Sequence, residues 1–289
     1  MLKHFVRLGL LGLLPATASA QVPLKIYGQE LIDRTVAGDR RLLLAQMHVA
    51  PAAGAASVVV ASNVGQFGSP ADATELEVMA TNKVEAGLLP GGTRLKMELP
   101  LLDVVGETIG VLTLEWSCHG AGDMAALSRR AGQVRAALSR RILNAANLFD
   151  QFPLDPAATT STRAQKLVDG LQAAHPEVEV LAVRGRSGAT GELVLLGSTF
   201  GRHGKKADQD DLKVLEATAP TTGVYSTGKR FGIDLPLHDR GGAAIGTMNV
   251  GYAYRDGADA QALVARSLRL RDELQRRLAA DPALDRLDP

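Results

Sequence analysis

The chain has 289 residues, with 32 Lys and Arg against 31 Asp and Glu and a formal charge of +1. A near-neutral balance gives no general attraction for nucleic acid, and an aromatic content of 4% argues against a carbohydrate platform or a base-stacking surface. The single cysteine, Cys118, excludes an intramolecular disulfide and reads as a buried thiol, with an intermolecular bridge or a reactive thiol as the alternative.

Residues 1–20 have the layout of a secretory signal peptide: Lys3, His4 and Arg7, an apolar run over 8–14, Pro15, then Ala18-Ser19-Ala20. The run is shorter than the roughly 20 apolar residues a membrane span needs. The mature chain is expected to begin near Gln21, outside the cytoplasm, in the periplasm or secreted. Removing Lys3 and Arg7 takes the charge from +1 to −1.

The rest of the chain contains itself twice. Residues 62–116 align with 198–252 at a constant offset of 136, with 17 identities in 55 positions. The match extends upstream to Leu31-Ile32-Asp33 over Leu167-Val168-Asp169, and downstream to Leu127, Val134, Leu138 and Ile142 over Leu263, Leu270, Leu274 and Leu278. This predicts a first unit over 21–149, a Pro/Thr/Ser-rich linker over 150–161, a second unit over 162–280 and a frayed tail over 281–289.

Each unit reads in the same order. Helices are predicted over 29–36 and 163–174, then strands over 41–48 and 57–62, repeated over 177–184 and 192–198. A Gly-x-x-Gly loop then runs into a helix whose start is marked by Asp72-x-x-Glu75 or Asp208-x-x-Asp211. Strand 94–102 alternates Leu95, Met97, Leu99 and Leu101 with polar residues, turns at 103–106 and returns to Trp116; the second copy runs 230–238, 239–242 and back to Tyr252. The closing helices are amphipathic, with Arg129, Arg130, Arg135 and Arg140 mostly off the apolar stripe. That pattern predicts helices packed on their own sheets, with a homodimer through the long helices as the alternative.

No His/Cys zinc spacing, calcium loop, nucleotide loop or Ser/His/Asp grouping is present, so no metal, cofactor or catalytic role is assigned. The stretch from Ser198 to Leu212, with Ile233-Asp-Leu-Pro-Leu-His-Asp and Ile245-Gly-Thr-Met-Asn-Val, resembles the extracytoplasmic Cache, or PAS-like PDC, sensor domains of bacteria. The resemblance implies an α+β fold of two tandem PAS/Cache-like units, each a mostly antiparallel five-stranded sheet with flanking helices and a long C-terminal helix. It also implies small-ligand sensing. The sequence departs from typical family receptors in showing no transmembrane helix or signalling domain after the sensor, and it lacks the Arg and His that citrate sensors carry near Leu196 and Thr199.

Differences between the copies locate the candidate site. If each hairpin is symmetric about its turn, Arg94 faces Glu115, whereas Arg230 faces Gly251, Gly232 faces Asn249 and Asp234 faces Thr247. The second unit then presents Arg230, Asp234, Thr247 and Asn249 on one face, with Arg230 free to hold a carboxylate. The loop Gly201-Arg202-His203-Gly204-Lys205-Lys206 replaces the uncharged Gly65-Gln66-Phe67-Gly68-Ser69-Pro70, so Arg202, His203 and Lys205 join the candidate set. The expected function is periplasmic binding or sensing of a small carboxylate or amino acid, without catalysis, the signal passing to a membrane-bound partner. The alternative is a non-catalytic protein-interaction scaffold.

Overall fold

The computed structural model of the chain describes residues 25–225, 228–278 and 283–285; the predicted leader, 1–20, lies outside them. In the first unit, α1 (Tyr27–Ala37) precedes β1 (Leu42–Val49) and β2 (Val58–Ser62). Helix α2 (Ala73–Thr81) leads to β3 (Glu85–Leu88), β4 (Arg94–Leu102) and β5 (Thr108–Ser117), and α3 (Ala121–Ser139) follows. The second unit repeats this with α4 (Arg163–Ala174), β6 (Val178–Arg186), β7 (Leu193–Ser198), α5 (Gln209–Glu216), β8 (Thr221–Tyr225), β9 (Arg230–His238), β10 (Ala244–Ala253) and α6 (Ala260–Leu278). Both sheets are antiparallel, in the order β2-β1-β5-β4-β3 and β7-β6-β10-β9-β8. The fold is α+β: two tandem PAS-like units of five strands, each with a long C-terminal helix. None of the described helices is long and apolar enough to cross a membrane.

Alternation decides which face is buried. Leu95, Met97, Leu99 and Leu101 of β4 and Leu112, Leu114 and Trp116 of β5 meet Leu31 and Ile32 of α1 and Leu127, Val134 and Leu138 of α3. In the second unit Ile233, Leu235, Met248, Val250 and Tyr252 meet Val168, Leu171, Leu270 and Leu274. The apolar stripes of α3 and α6 are spent on their own sheets, so any dimer through these helices must use their polar faces. Cys118 is buried in the first core. The edge strands β3 and β8 are almost wholly exposed and show no apolar alternation, which is why residue patterning alone does not reveal them.

Helices α2 and α5 lie on the opposite faces, against β4/β5 and β9/β10. Their predicted starts are capping boxes: Asp72 accepts from the Glu75 N–H at 2.9 Å and Glu75 from the Asp72 N–H at 2.9 Å, and Asp208 and Asp211 do the same at 3.0 and 3.1 Å.

The hairpin register differs from the symmetric expectation. Asp103 Oδ1 accepts from the N–H groups of Val105 and Glu107, and Asp239 Oδ1 from those of Gly241 and Ala243, making a turn one residue longer than the predicted four. A bulge follows, between Leu101↔Gly110 and Leu102↔Thr108 in one copy and between Leu237↔Gly246 and His238↔Ala244 in the other. Arg230 therefore pairs with Ala253, Gly232 with Gly251 and Asp234 with Asn249. The slip is two residues, so every side chain keeps its predicted face. Gly110 and Gly246 are required at the bulge, since a Cβ there would lie 2.1 Å from the carbonyl oxygen of His48 or Arg184.

The tail is not frayed where it is described. Leu284 is buried in the second core, its carbonyl accepts from the Ala164 N–H at 3.0 Å, and Asp285 accepts from the Gly188 N–H at 2.6 Å. Leu284 stands at the repeat offset from Leu148, which lies in a 3-10 turn (Ala145–Phe149) and packs on Gly28 in the first unit. The repeat thus extends further than sequence identity shows. Leu284→Ala is expected to lower unfolding stability by about 2–4 kcal/mol in urea denaturation; a frayed tail would give no change.

Candidate ligand cleft on the outer face of the second sheet

Period two sends Arg230, Gly232 and Asp234 of β9 and Thr247, Asn249 and Gly251 of β10 to the face away from the core. Two glycines shape this face. The Arg230 Cδ lies 3.1 Å from where a Cβ on Gly251 would be, so the arginine stem crosses a position that holds Glu115 in the first unit. A Cβ on Gly232 would sit 2.6 Å from Cε2 of Tyr225, whose ring walls the face from β8. The result is a cleft of about 230 Å³, with Arg230, Asn249 and Tyr225 on one side, Val180, Arg184 and Leu195 on the floor, and Phe200, Arg202 and Lys205 on the loop after β7. Leu143, from the first unit, completes it. The cleft is smaller than a pocket for a drug-sized ligand, roughly 300–1,000 Å³, and has room only for a small molecule.

Arg230 is only 11% exposed at its side chain. Its Nε lies 3.9 Å from Oε2 of Glu179, too far for a hydrogen bond, and Nε and one terminal nitrogen have no hydrogen-bond partner. Burial lowers the Arg230 pKa against the pull of Glu179 and Asp103. Burial likewise pushes the Glu179 carboxyl up to about 6; Arg230 opposes the shift, and the Asp103 carboxylate of the first unit's hairpin adds to it. The other cations differ. Arg184 Nε is 3.0 Å from Asp211 and Arg202 Nε is 2.7 Å from Asp150, while Lys205 has no ion pair among the described residues. Asp234 accepts from Asn249 Nδ2 at 2.7 Å, and burial raises its pKa.

The structure thus gathers Arg230, Asn249, Arg202 and Lys205 around one cleft. Asp234 and Thr247 lie on the same face but do not line it: Asp234 is held behind Asn249, and Thr247 is buried between Arg184 and Pro236 in the sheet. His203 is a correction. It is 2% exposed, with Nε2 2.8 Å from Gln165 Oε1 and its ring edge-on to Phe152 at 5.6 Å, so it belongs to the seam between the units. Burial, reinforced by Arg34, lowers its pKa to about 4. Residue patterning missed Glu179, Tyr225 and Leu143. Tyr225 stands on an unpatterned edge strand, and Leu143 belongs to the other unit.

The first unit shows why the equivalent face there is filled. Glu75 is contacted by His48 at 3.0 Å and accepts from Thr113 at 2.8 Å; these contacts, with the Asp72 N–H, outweigh the upward push of burial and hold its carboxyl down at about 2. Asp72, Glu75 and Glu98 are close enough to share a cation, but Lys96 Nζ lies 2.5 Å from Glu98 and 3.6 Å from Asp72 and supplies that charge. At the repeat offset the acids become Asp208, Asp211 and Asp234, Lys96 becomes Gly232 and His48 becomes Arg184. The compensating cation stands on the hairpin strand β4 in the first unit and on β6 in the second, two strands from β9, and glycine takes the place of Lys96. Arg94 still meets Glu115, diagonally, at 3.5 Å.

No protein-family model and no curated protein matches this chain. Solved structures similar to parts of it include the repressor BlcR of Agobacterium tumefaciens, at 13% identity and a TM-score of 0.29, covering 40% of this chain and 66% of that one. They also include the inducer-binding domain of PobR from Acinetobacter in complex with 3-hydroxybenzoic acid, at 12% identity and a TM-score of 0.25, covering 40% and 94%. PelD of Pseudomonas aeruginosa matches over 89% of this chain and 79% of its own, at 12% identity and a TM-score of 0.30. Similarity at this level assigns neither a family nor a function.

Two outcomes are expected. Glu179 and Arg230 are buried without satisfying each other, so Glu179→Leu combined with Arg230→Met should leave stability unchanged or raise it by about 1–4 kcal/mol in urea denaturation. For His203, the unfolded chain takes up its proton near 6.5 while the folded chain resists until about 4. Its contribution is therefore complete above pH 6.5 and lost as pH falls toward 4, amounting to about 3 kcal/mol. The stability difference between the parent and His203→Phe should shrink by that order between pH 7 and pH 4 in denaturation curves.

Proposed function

We propose that this protein binds a small carboxylate or amino acid in the cleft of its second unit and serves as a sensing or holding module without chemistry of its own. One observation carries the reading: a nearly buried guanidinium with unpartnered N–H groups lines a cleft of small-molecule size. Burying a guanidinium whose nearest acid, Glu179, stands 3.9 Å away and accepts no hydrogen bond from it costs free energy that the attraction of Glu179 and Asp103 returns only in part, and a bidentate carboxylate offsets the remainder. The first unit's Arg94, 52% exposed and paired with Glu115, is the internal contrast. The predicted leader supports a periplasmic or secreted location, within the Cache-like frame that the sequence motifs suggest, and a membrane-bound partner would then carry the signal onward.

A second reading, as an interaction scaffold, is favoured by the first unit's uncharged loop. Val64 and Phe67 are 53% and 61% exposed there, whereas their repeat counterparts Phe200 and His203 are half-buried and buried against the first unit. Thermal shift separates the two. Small carboxylates or amino acids should raise the Tm of the parent and of Arg94→Ala, and leave Arg230→Ala unmoved. If Arg230→Ala responds as the parent does, the site is elsewhere; if no such compound stabilises the parent, the scaffold reading gains.

A further inference from the structure

The cations lining the cleft fall into two classes. Arg184 and Arg202 are held in close ion pairs, at 3.0 and 2.7 Å from Asp211 and Asp150, although Arg184 Nε makes no hydrogen bond. Arg230 and Lys205 are not so held: Arg230 keeps unpartnered nitrogens, and Lys205 has no ion pair among the described residues. Among the described residues that line the cleft none is acidic, and the acid nearest Arg230 is Glu179, at 3.9 Å. The uncommitted pair is peculiar to the second unit, because at the repeat offset Lys205 becomes Ser69 and Arg230 becomes the self-paired Arg94.

Their placement matters more than their number. Arg230 opens β9, while Lys205 lies in the segment running alongside β7, where its carbonyl accepts from the Leu195 N–H at 2.9 Å. Strands β7, β6 and β10 stand between that segment and β9, so the two backbones are four strand spacings apart, about 19 Å, and the two side chains reach toward each other into the cleft, that of Arg230 passing over Gly251 of β10. Between them lie apolar groups, Val180, Leu195, Phe200 and Leu143 with the bare backbone of Gly251, and two polar ones, Arg184 and Asn249.

The geometry points to a ligand that is an extended dianion, with one carboxylate on Arg230, a second anionic group on Lys205, and an apolar spacer over Val180 and Leu195. This rests on the proposed carboxylate-binding reading and sharpens it to a substrate class. A monoanion satisfies one cation and leaves the other without a partner. A diacid that is too short cannot reach both. Lys205 is thereby a specificity-determining residue, and Arg230 the anchor common to all ligands.

The test is isothermal titration at fixed ionic strength with the α,ω-dicarboxylates from succinate to suberate and the monocarboxylates of matching length. A parallel arm uses ω-phosphonocarboxylates and reports whether the distal group is better a carboxylate or a phosphonate. In the parent, affinity should pass through a maximum with diacid length and exceed that of the matched monoacid at least tenfold. Lys205→Gln should weaken the best diacid more than its monoacid and bring the two to within about threefold of each other, an outcome that loss of folding cannot mimic. Arg230→Lys should weaken both series. Equal binding of mono- and diacids by the parent overturns the dianion and leaves the carboxylate reading standing. Absence of binding by every compound overturns both.

Discussion

The ring of Tyr27 occupies the place where a side chain at residue 201 would have to be. A Cβ on Gly201 would lie 2.7 Å from two of its ring carbons, and the backbone there has a φ of +74°, which glycine adopts without strain. The Tyr27 hydroxyl donates to the Thr199 carbonyl, Asn147 Nδ2 donates to the Phe200 carbonyl, and Arg202 closes on Asp150. Around this contact Arg141 pairs with Asp169, and Arg140 and Gln172 exchange hydrogen bonds through each other's carbonyls. The seam fixes one unit on the other. It brings Leu143 to the cleft and sets the Asp103 hairpin beside β9, where Glu107 meets Lys229.

The cleft is built from both units. The charge environment of Arg230 is set partly by its own sheet, through Glu179, and partly by Asp103 across the junction, and Leu143 of the first unit completes the lining.

The two copies carry different chemistry on one fold. Both keep three acids at equivalent positions, and both set a nearby cation against them, Lys96 in the first and Arg184 in the second. Lys96 stands on the hairpin strand β4, whereas Arg184 stands on β6, two strands from β9, and position 232 is glycine. Where the first unit has Glu115 beside Arg94, the second has Gly251 beside Arg230. Both differences fall on the outer face and leave the core face untouched, so an ion network in one copy corresponds to a cleft in the other.

The sequence by itself determined the two units, the order of their elements, the faces of the hairpin strands and the contrast between Arg94 and Arg230. These are local or periodic properties: alternation selects a face, and a two-residue error in register leaves that choice intact. The fifth strand of each sheet was implied only by resemblance, since Glu85–Leu88 and Thr221–Tyr225 bury almost nothing and so carry no pattern. Tertiary structure alone decided that His203 is a seam residue, that Glu179 stands near Arg230, that Leu284 closes the second core, and that the cleft has a wall from the other unit. Each depends on packing between residues far apart in the chain, where a single side chain contributes and no period exists to announce it. Burial then does the rest, moving the protonation of Glu179 and His203 away from that of an ordinary glutamate and histidine.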